Sequence, residues 1–351
     1  MGVGELAPPP SNPHNSKKES ILKSVLVARH AAFGDMVHVS HVPRLLKDNG
    51  YDIVGFSTGK RGAQILKNNP FIDRLHYAEL SDFTRQLGIE YFNTRLMTIG
   101  REYDTVINLN QIIEVGALPG QYQKEYFLDQ KTRDRMGSDN YYDIATKAAG
   151  FPHLQGKYRG ELFFSKDEEE IVAKSLAKHQ SKFKLLINLS GSSPHKVFVQ
   201  AREVIDRVKL KYPEAVIFTT GDKLSESIDS DADGVIKLSI KKPFRQVLLM
   251  CKYMECVIGC ESGMVCGSSC LGTPTIQLMT AASLKNHVQY AENDYSLQSP
   301  ARCSPCHKNP YDYWGCPTKD NYPLCVFFEI DKIMSQIEEI HSKWATANSN
   351  T

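Results

Sequence analysis

Short apolar runs and longer amphipathic stretches alternate along most of the chain. Residues 25–28 (VLVA) are apolar on both faces, brief and β-branched, which predicts a buried strand. Small residues and a glycine follow, and then Met36, Val39, Val42, Leu45 and Leu46 recur at helical spacing. Gly34-Asp35 is therefore expected at a strand-to-helix turn, the edge of an open α/β sheet where ligands bind. Further strands are predicted over 53–56, 74–77 and 105–110, and helices around 43–48, 62–68, 82–98 and 140–150. A second series has strands at 184–189, 215–220, 234–237, 255–259 and 275–278. Its helices are expected near 167–179, 199–212, 243–252 and 265–271. This rhythm belongs to parallel sheets with helical crossovers, so two successive α/β domains are predicted, joined between Gly150 and Asp167. Val326, Phe327, Ile330, Ile333, Met334, Ile337 and Ile340 form one apolar stripe, a final helix long enough to reach back across both domains.

The length of 351 residues exceeds what one core usually carries, which agrees with two domains. The expected division is a disordered tail at 1–20, a first domain at 21–160, a second at 161–325 with a cysteine-rich loop at 301–325, and a helix at 326–345. A formal net charge of +2 gives no strong nucleic-acid signal. The segment MGVGELAPPPSNPHNSKKES has no apolar core of the kind a signal peptide needs, and no stretch has the eighteen or so apolar residues that cross a bilayer. The expected location is cytoplasmic, with peripheral contact at the inner face of a membrane. Nine cysteines in a reducing compartment are thiols or metal ligands rather than disulfides.

Several stretches carry candidate chemistry. Asp35 stands where a carboxylate can cap a helix, or where it can serve a ligand at the sheet edge. CVIGCESGMVCGSSCLGTP (256–274) is a second strand-to-helix turn, in which the amides after Glu261-Ser262-Gly263-Met264 form either an anion site or only a close-packed turn. Ser190, Gly191 and Ser192 make a flexible, hydroxyl-rich loop followed by Lys196, a cation able to neutralise phosphate. Cys303, Cys306, Cys316 and Cys325 follow C-x2-C-x9-C-x8-C, a spacing that suits a tetrahedral thiolate site for zinc or iron, with reduced thiols as the alternative. Cys251, Cys256, Cys260, Cys266 and Cys270 lie in an apolar strand and helix and are expected to pack. Asp229-Ser230-Asp231-Ala232-Asp233-Gly234 copies half of an EF-hand loop, but Ile240 replaces the bidentate glutamate, so a solvated turn is expected.

The segment 21–75, with Gly34-Asp35 and Asn69-Pro70-Phe71-Ile72-Asp73, resembles the start of glycosyltransferase family nine, the lipopolysaccharide heptosyltransferases and their relatives. GCESGMVCGSSCLGTPTIQL resembles that family's second signature, and Cys303-Ser304-Pro305-Cys306 its cysteine-bearing tail. The resemblance implies a GT-B fold: α/β, with two Rossmann-like domains facing across a cleft. It places Asp35 at the catalytic base, with Gly34 and His38 on the acceptor side. Ser190, Gly191, Ser192, Lys196, Asp222, Glu261, Ser262, Gly263 and Met264 fall on the donor side. Related cysteines in some autotransporter heptosyltransferases are iron ligands. Glu261 and Cys266 depart from the aspartate and histidine common at those positions.

The implied activity is inverting transfer of a heptose-like sugar from a nucleoside diphosphate to an acceptor hydroxyl of lipopolysaccharide or another glycan. No cofactor is expected in the chemistry, with structural zinc or iron at the four late cysteines. Two alternatives stay open: a silent nucleotide-sugar-binding protein on the same scaffold, and a transferase acting on protein or a modified nucleobase.

Overall fold

The computed structural model describes residues 22–78, 94–110, 112, 129, 131, 138–221, 225, 234–238, 242–307, 316–319 and 321–349. The expected tail, most of the helix predicted over 82–98, Asp222, and the aspartates of the 229–234 run lie outside them.

The first domain holds β1 (Ser24–Ala28), α1 (Phe33–Val39), α2 (Val42–Asp48), β2 (Ile53–Gly59), α3 (Lys60–Leu66), β3 (Arg74–Ala78) and β4 (Thr105–Asn108). Its strands are parallel in the order β3-β2-β1-β4, with Val25 opposite Val54 on one side and Thr105 on the other. Two helices follow, α4 (Tyr141–Ala148) and α5 (Lys166–Leu176).

The second sheet is built from β5 (Lys184–Asn188), β6 (Val216–Thr220), β7 (Val235–Lys237), β8 (Cys256–Cys260), β9 (Thr275–Met279) and β10 (Leu297–Gln298), parallel in the order β10-β9-β8-β5-β6-β7. Its crossovers contain α6 (Ala201–Lys211), α7 (Phe244–Cys251), α8 (Gly263–Cys270) and α9 (Leu284–Val288). The strands β5, β6, β8 and β9 are buried at every residue, which explains why β5, β6 and β8 each carry three consecutive apolar residues (185–187, 216–218 and 256–258) rather than an alternating pattern. A small antiparallel pair, β11 (Thr318–Lys319) and β12 (Tyr322–Pro323), precedes the final helix α10 (Ile330–Ser349).

Three local expectations are corrected. The helical spacing from Met36 to Leu46 spans two helices, α1 and α2, with Pro43 in the first turn of α2, where its missing N–H costs nothing. The helix α1 begins at Phe33, so Gly34 and Asp35 lie inside its first turn rather than ahead of it. The last helix does not cross to the first domain. Ile330, Ile333, Met334, Ile337 and Ile340 join a core made of α6 and the second sheet, including Val204, Ile205 and Ile258.

The other core runs through both domains: Val25, Met36 and Phe56 belong to the same apolar cluster as Val247, Leu248 and Met264. Arg245, 7% exposed, ties this joint together. Its guanidinium donates to Gln64 O (2.5 Å) in α3, to Phe163 O (2.5 Å) in the connector, and to both carboxylate oxygens of Glu168 (2.7 and 3.0 Å) in α5. A planar fork of donors suits several acceptors held in fixed directions.

The Arg245 hydrogen bond is the main cause that holds the Glu168 carboxyl down to about 2, from an ordinary value of 4.5, with burial acting against it. A depressed carboxylate stabilises the fold fully above its ordinary value and loses that contribution as pH falls from about 4.5 towards about 2. Glu168→Gln should therefore show a shallower loss of stability across this window than wild type in chemical denaturation. Parallel curves would show that the pair contributes nothing.

Candidate functional site

The site begins where β1 ends. Arg29, the next residue but one from Val27, is fully buried, and its Nη1 donates to Leu109 O at 2.8 Å. Its Nη2 lies 3.4 Å from Asp35 Oδ1 in the first turn of α1, and the Asp35 side chain is 27% exposed. The N-cap of α1 is Ala32, with no side-chain capping bond, so Asp35 does not cap the helix. It is instead an accessible carboxylate held from behind by a buried arginine.

The second domain supplies the opposite wall. Asn188, the last residue of β5, donates from Nδ2 to Ser190 O (2.9 Å) and to Ser262 Oγ (3.1 Å), joining the two predicted turns. A Cβ at Gly191 would lie 2.7 Å from Lys196 Cβ, so only glycine lets the lysine stem fold over the loop. Ser262 caps α8 by accepting from Val265 N. Met264 turns its side chain into the core, where its Sδ accepts from Cys251 Sγ.

Glu261 is 2% exposed and accepts from Thr280 N (2.6 Å), Thr280 Oγ1 (3.1 Å), Ala281 N (3.1 Å) and Ala282 N (3.3 Å). Burial pushes its carboxyl up, while the Lys196 ammonium and these amides pull it down. It therefore pins the turn after β9 beneath the cleft. Ser304 Oγ donates to Thr280 O at 2.6 Å, which anchors the cysteine-rich loop to the same turn.

The two walls meet at the starts of α1 and α8. A Cβ built on Gly263 would lie 2.4 Å from Phe33 Cβ and 2.8 Å from Gly34 N. Beside this contact the Phe33 and Phe244 rings stack with centroids 3.7 Å apart. The result is a cleft of about 900 Å³ between the domains. Gly34, Asp35 and His38 line it from one side, and Ser190, Gly191, Ser192, Lys196, Glu261, Ser262, Gly263 and Met264 from the other. Sequence reasoning missed Arg29, Asn188, the Phe33–Phe244 stack and His287. Arg29 left one faint signal, a charge directly after a buried strand.

Histidines in the cleft are poor bases. Burial first, with Arg29 and Lys196 adding to it, pushes His38 down to about 3, and burial and Lys196 do the same to His195. His287 is pushed well down by burial, His38 and Lys196. Burial raises the Cys325 thiol, and Glu261, Cys306, Cys303 and Cys316 raise it further, but among the described residues the four late cysteines do not bring their sulfurs together as the converging ligand atoms of His38, Cys266 and His287 do.

No protein-family profile matches the chain. The sequence is 20% identical over 289 residues to lipopolysaccharide heptosyltransferase 1 of Campylobacter coli, covering 73% of this chain and 84% of that protein. The fold is similar to a glycosyl transferase family 9 protein of Veillonella parvula, with a TM-score of 0.67 at 14% identity over 91% of this chain and 97% of that one. Escherichia coli ADP-heptose lipopolysaccharide heptosyltransferase II gives 0.62 at 10% identity over 92% and 99%. The iron-containing dodecameric glycosyltransferase TibC of enterotoxigenic E. coli gives 0.60 at 12% identity over 92% and 78%. The chain thus has the GT-B fold and is heptosyltransferase-like.

The crowding at Gly263 yields a test. Gly263→Ala should lower stability by roughly 1–3 kcal/mol, the usual cost of overpacking, and widen the cleft in small-angle scattering. Unchanged stability would mean that α1 moves aside at no cost.

Proposed function

We propose that this heptosyltransferase-like chain is a glycosyltransferase moving a heptose-type sugar from a nucleoside diphosphate to a glycan hydroxyl, with inversion at the anomeric carbon. The observation that carries the reading is the pairing, in one cleft, of the accessible Asp35 carboxylate with Lys196 and the capped start of α8. Asp35 takes the proton of the acceptor hydroxyl as its oxygen attacks the anomeric carbon and the bond to the diphosphate breaks. Lys196 and the amides that begin α8 receive the charge developing on the leaving group, so the chemical step calls for no divalent ion. His38 and His195, pushed down to about 3, are too weakly basic to compete for the proton.

The donor we assign is ADP-heptose or a close analogue, by likeness to the heptosyltransferase II named above. Asp222 stays an expected donor-side residue, near where the resemblance puts the acidic partner of the donor ribose. A lipopolysaccharide-type acceptor fits best, and a lipid-borne one would bring the protein to a membrane surface. No helix among the described residues is long and apolar enough to cross a membrane. A silent binding protein would have no use for a carboxylate held open to the cleft by a buried arginine.

Cys303, Cys306, Cys316 and Cys325 have the thiol chemistry and the chain spacing of a tetrahedral iron or zinc site, although among the described residues only His38, Cys266 and His287 already bring their ligand atoms within 4.8 Å of one another. Such an ion would be structural, cross-linking the loop that Ser304 fastens beneath the cleft.

Asp35→Asn can still accept from Arg29, but it cannot take a proton. Turnover with ADP-heptose should fall by roughly 10²–10⁴-fold while melting temperature and ADP affinity stay near wild type. Lys196→Ala should show the reverse emphasis, weakening calorimetric ADP binding by roughly 1–3 kcal/mol. Near-normal turnover of Asp35→Asn removes the base, and unchanged ADP affinity of Lys196→Ala removes the phosphate contact. For the cysteines, Cys303→Ser should lose about one equivalent of metal by elemental analysis. Metal-free wild type, purified without chelators, would return these residues to plain thiols.

A further inference from the structure

Beside the cleft, three side chains that the proposed transfer does not use bring ligand atoms together across the domain joint. His38 comes from α1, Cys266 from α8 and His287 from α9, and one donor atom of each lies within 4.8 Å of the other two. Cys266 Sγ is 3.2 Å from His287 Nδ1, and the His38 and His287 rings meet edge to face with centroids 4.9 Å apart. His38 is 2% exposed, and both its ring nitrogens are buried with no hydrogen-bond partner. A buried imidazole ordinarily donates from one nitrogen and accepts at the other, so two idle nitrogens are costly unless something else engages them.

We infer that His38, Cys266 and His287 form a site for a zinc-type divalent cation that bridges the two domains. A tetrahedral ion with bonds of about 2.0–2.3 Å holds its ligands about 3.5 Å apart, so small side-chain rotations close this set. Two imidazoles and a thiolate suit zinc or cobalt(II), whereas magnesium and calcium demand oxygen. On binding, the Cys266 S–H bond breaks, sulfur keeps the electron pair and bonds the ion, and the proton passes to solvent. Asp35 and Glu261 stand near enough to Cys266 to act on it electrostatically and offset the ion's charge, with Lys196 acting the other way. All three ligands line the cleft, so the fourth position opens into it. Because the ligands come from both domains, the ion binds the closed arrangement more tightly than any open one and holds the cleft shut.

The site is separate from the late cysteines, and cobalt(II) distinguishes the two. A thiolate–cobalt bond adds charge-transfer absorption, and four-coordination adds strong visible bands. Full-length protein cleared of metal by a chelator and titrated with cobalt(II) should take up one equivalent more as wild type than as Cys266→Ala. His287→Gln should weaken that equivalent by more than about 100-fold, while Cys303→Ser leaves it intact. Cobalt(II) should also raise the melting temperature of Cys303→Ser but not of a Cys266→Ala, Cys303→Ser double variant. Equal uptake and spectra for wild type and Cys266→Ala, or bands that vanish with Cys303→Ser alone, overturn the site. Should Cys266→Ala fail to fold, His287→Gln takes its place: loss of the extra equivalent supports the site, and uptake equal to wild type overturns it.

Discussion

The approach of α1 to α8 is the constraint on which the other features depend. The two helix starts are so close that a single methyl group at Gly263 would collide with Phe33 and the backbone of Gly34. With hydrogen there, the positive ends of two helices are brought to one place, and anionic groups are favoured beside them. Asp35 is one such group, and a diphosphate would be another. The Phe33–Phe244 stack closes the floor of this contact and adds roughly 0.5–1.5 kcal/mol beyond its buried area.

The polar residues that shape the cleft are held by buried protein partners. Arg29 sits behind Asp35, Asn188 couples the two donor-side turns, and Glu261 directs its carboxylate at three amides and a hydroxyl of residues 280–282. The two methylenes of Glu261 give its carboxylate the reach to the turn after β9. Arg245 does the comparable task at the back of the molecule, where it binds α3, the connector and α5 at once. Rigid walls of this kind allow binding groups on separate domains to keep their spacing.

Much of this was legible along the chain, and for local reasons. Burial on both faces gave β5, β6 and β8 consecutive apolar residues, and the Glu261-Ser262-Gly263 turn directly after such a strand marked the start of α8. Strand ends were accurate to about one or two residues in the second domain, because glycine, proline and polar residues end those runs abruptly. The break between α1 and α2 was less visible, since the apolar spacing continues through Ser40-His41. The last helix was misplaced because a stripe of isoleucines states that a face is buried without stating against what.

The sequence by itself determined the two α/β units, the strand-to-helix junctions near Asp35 and Ser262, the loop before Lys196, and the resemblance to heptosyltransferases, because each is written in contiguous residues. Only the tertiary structure decided which of these residues share a cleft, that Arg29 backs Asp35, and that His38, Cys266 and His287 converge. Those pairings are not written in any one stretch: Arg29 and Asp35 lie 6 positions apart across a strand end and a helix start, and His38 and His287 lie 249 apart. Periodicity reports which face of an element is buried, whereas the partner across an interface is fixed by how whole elements pack.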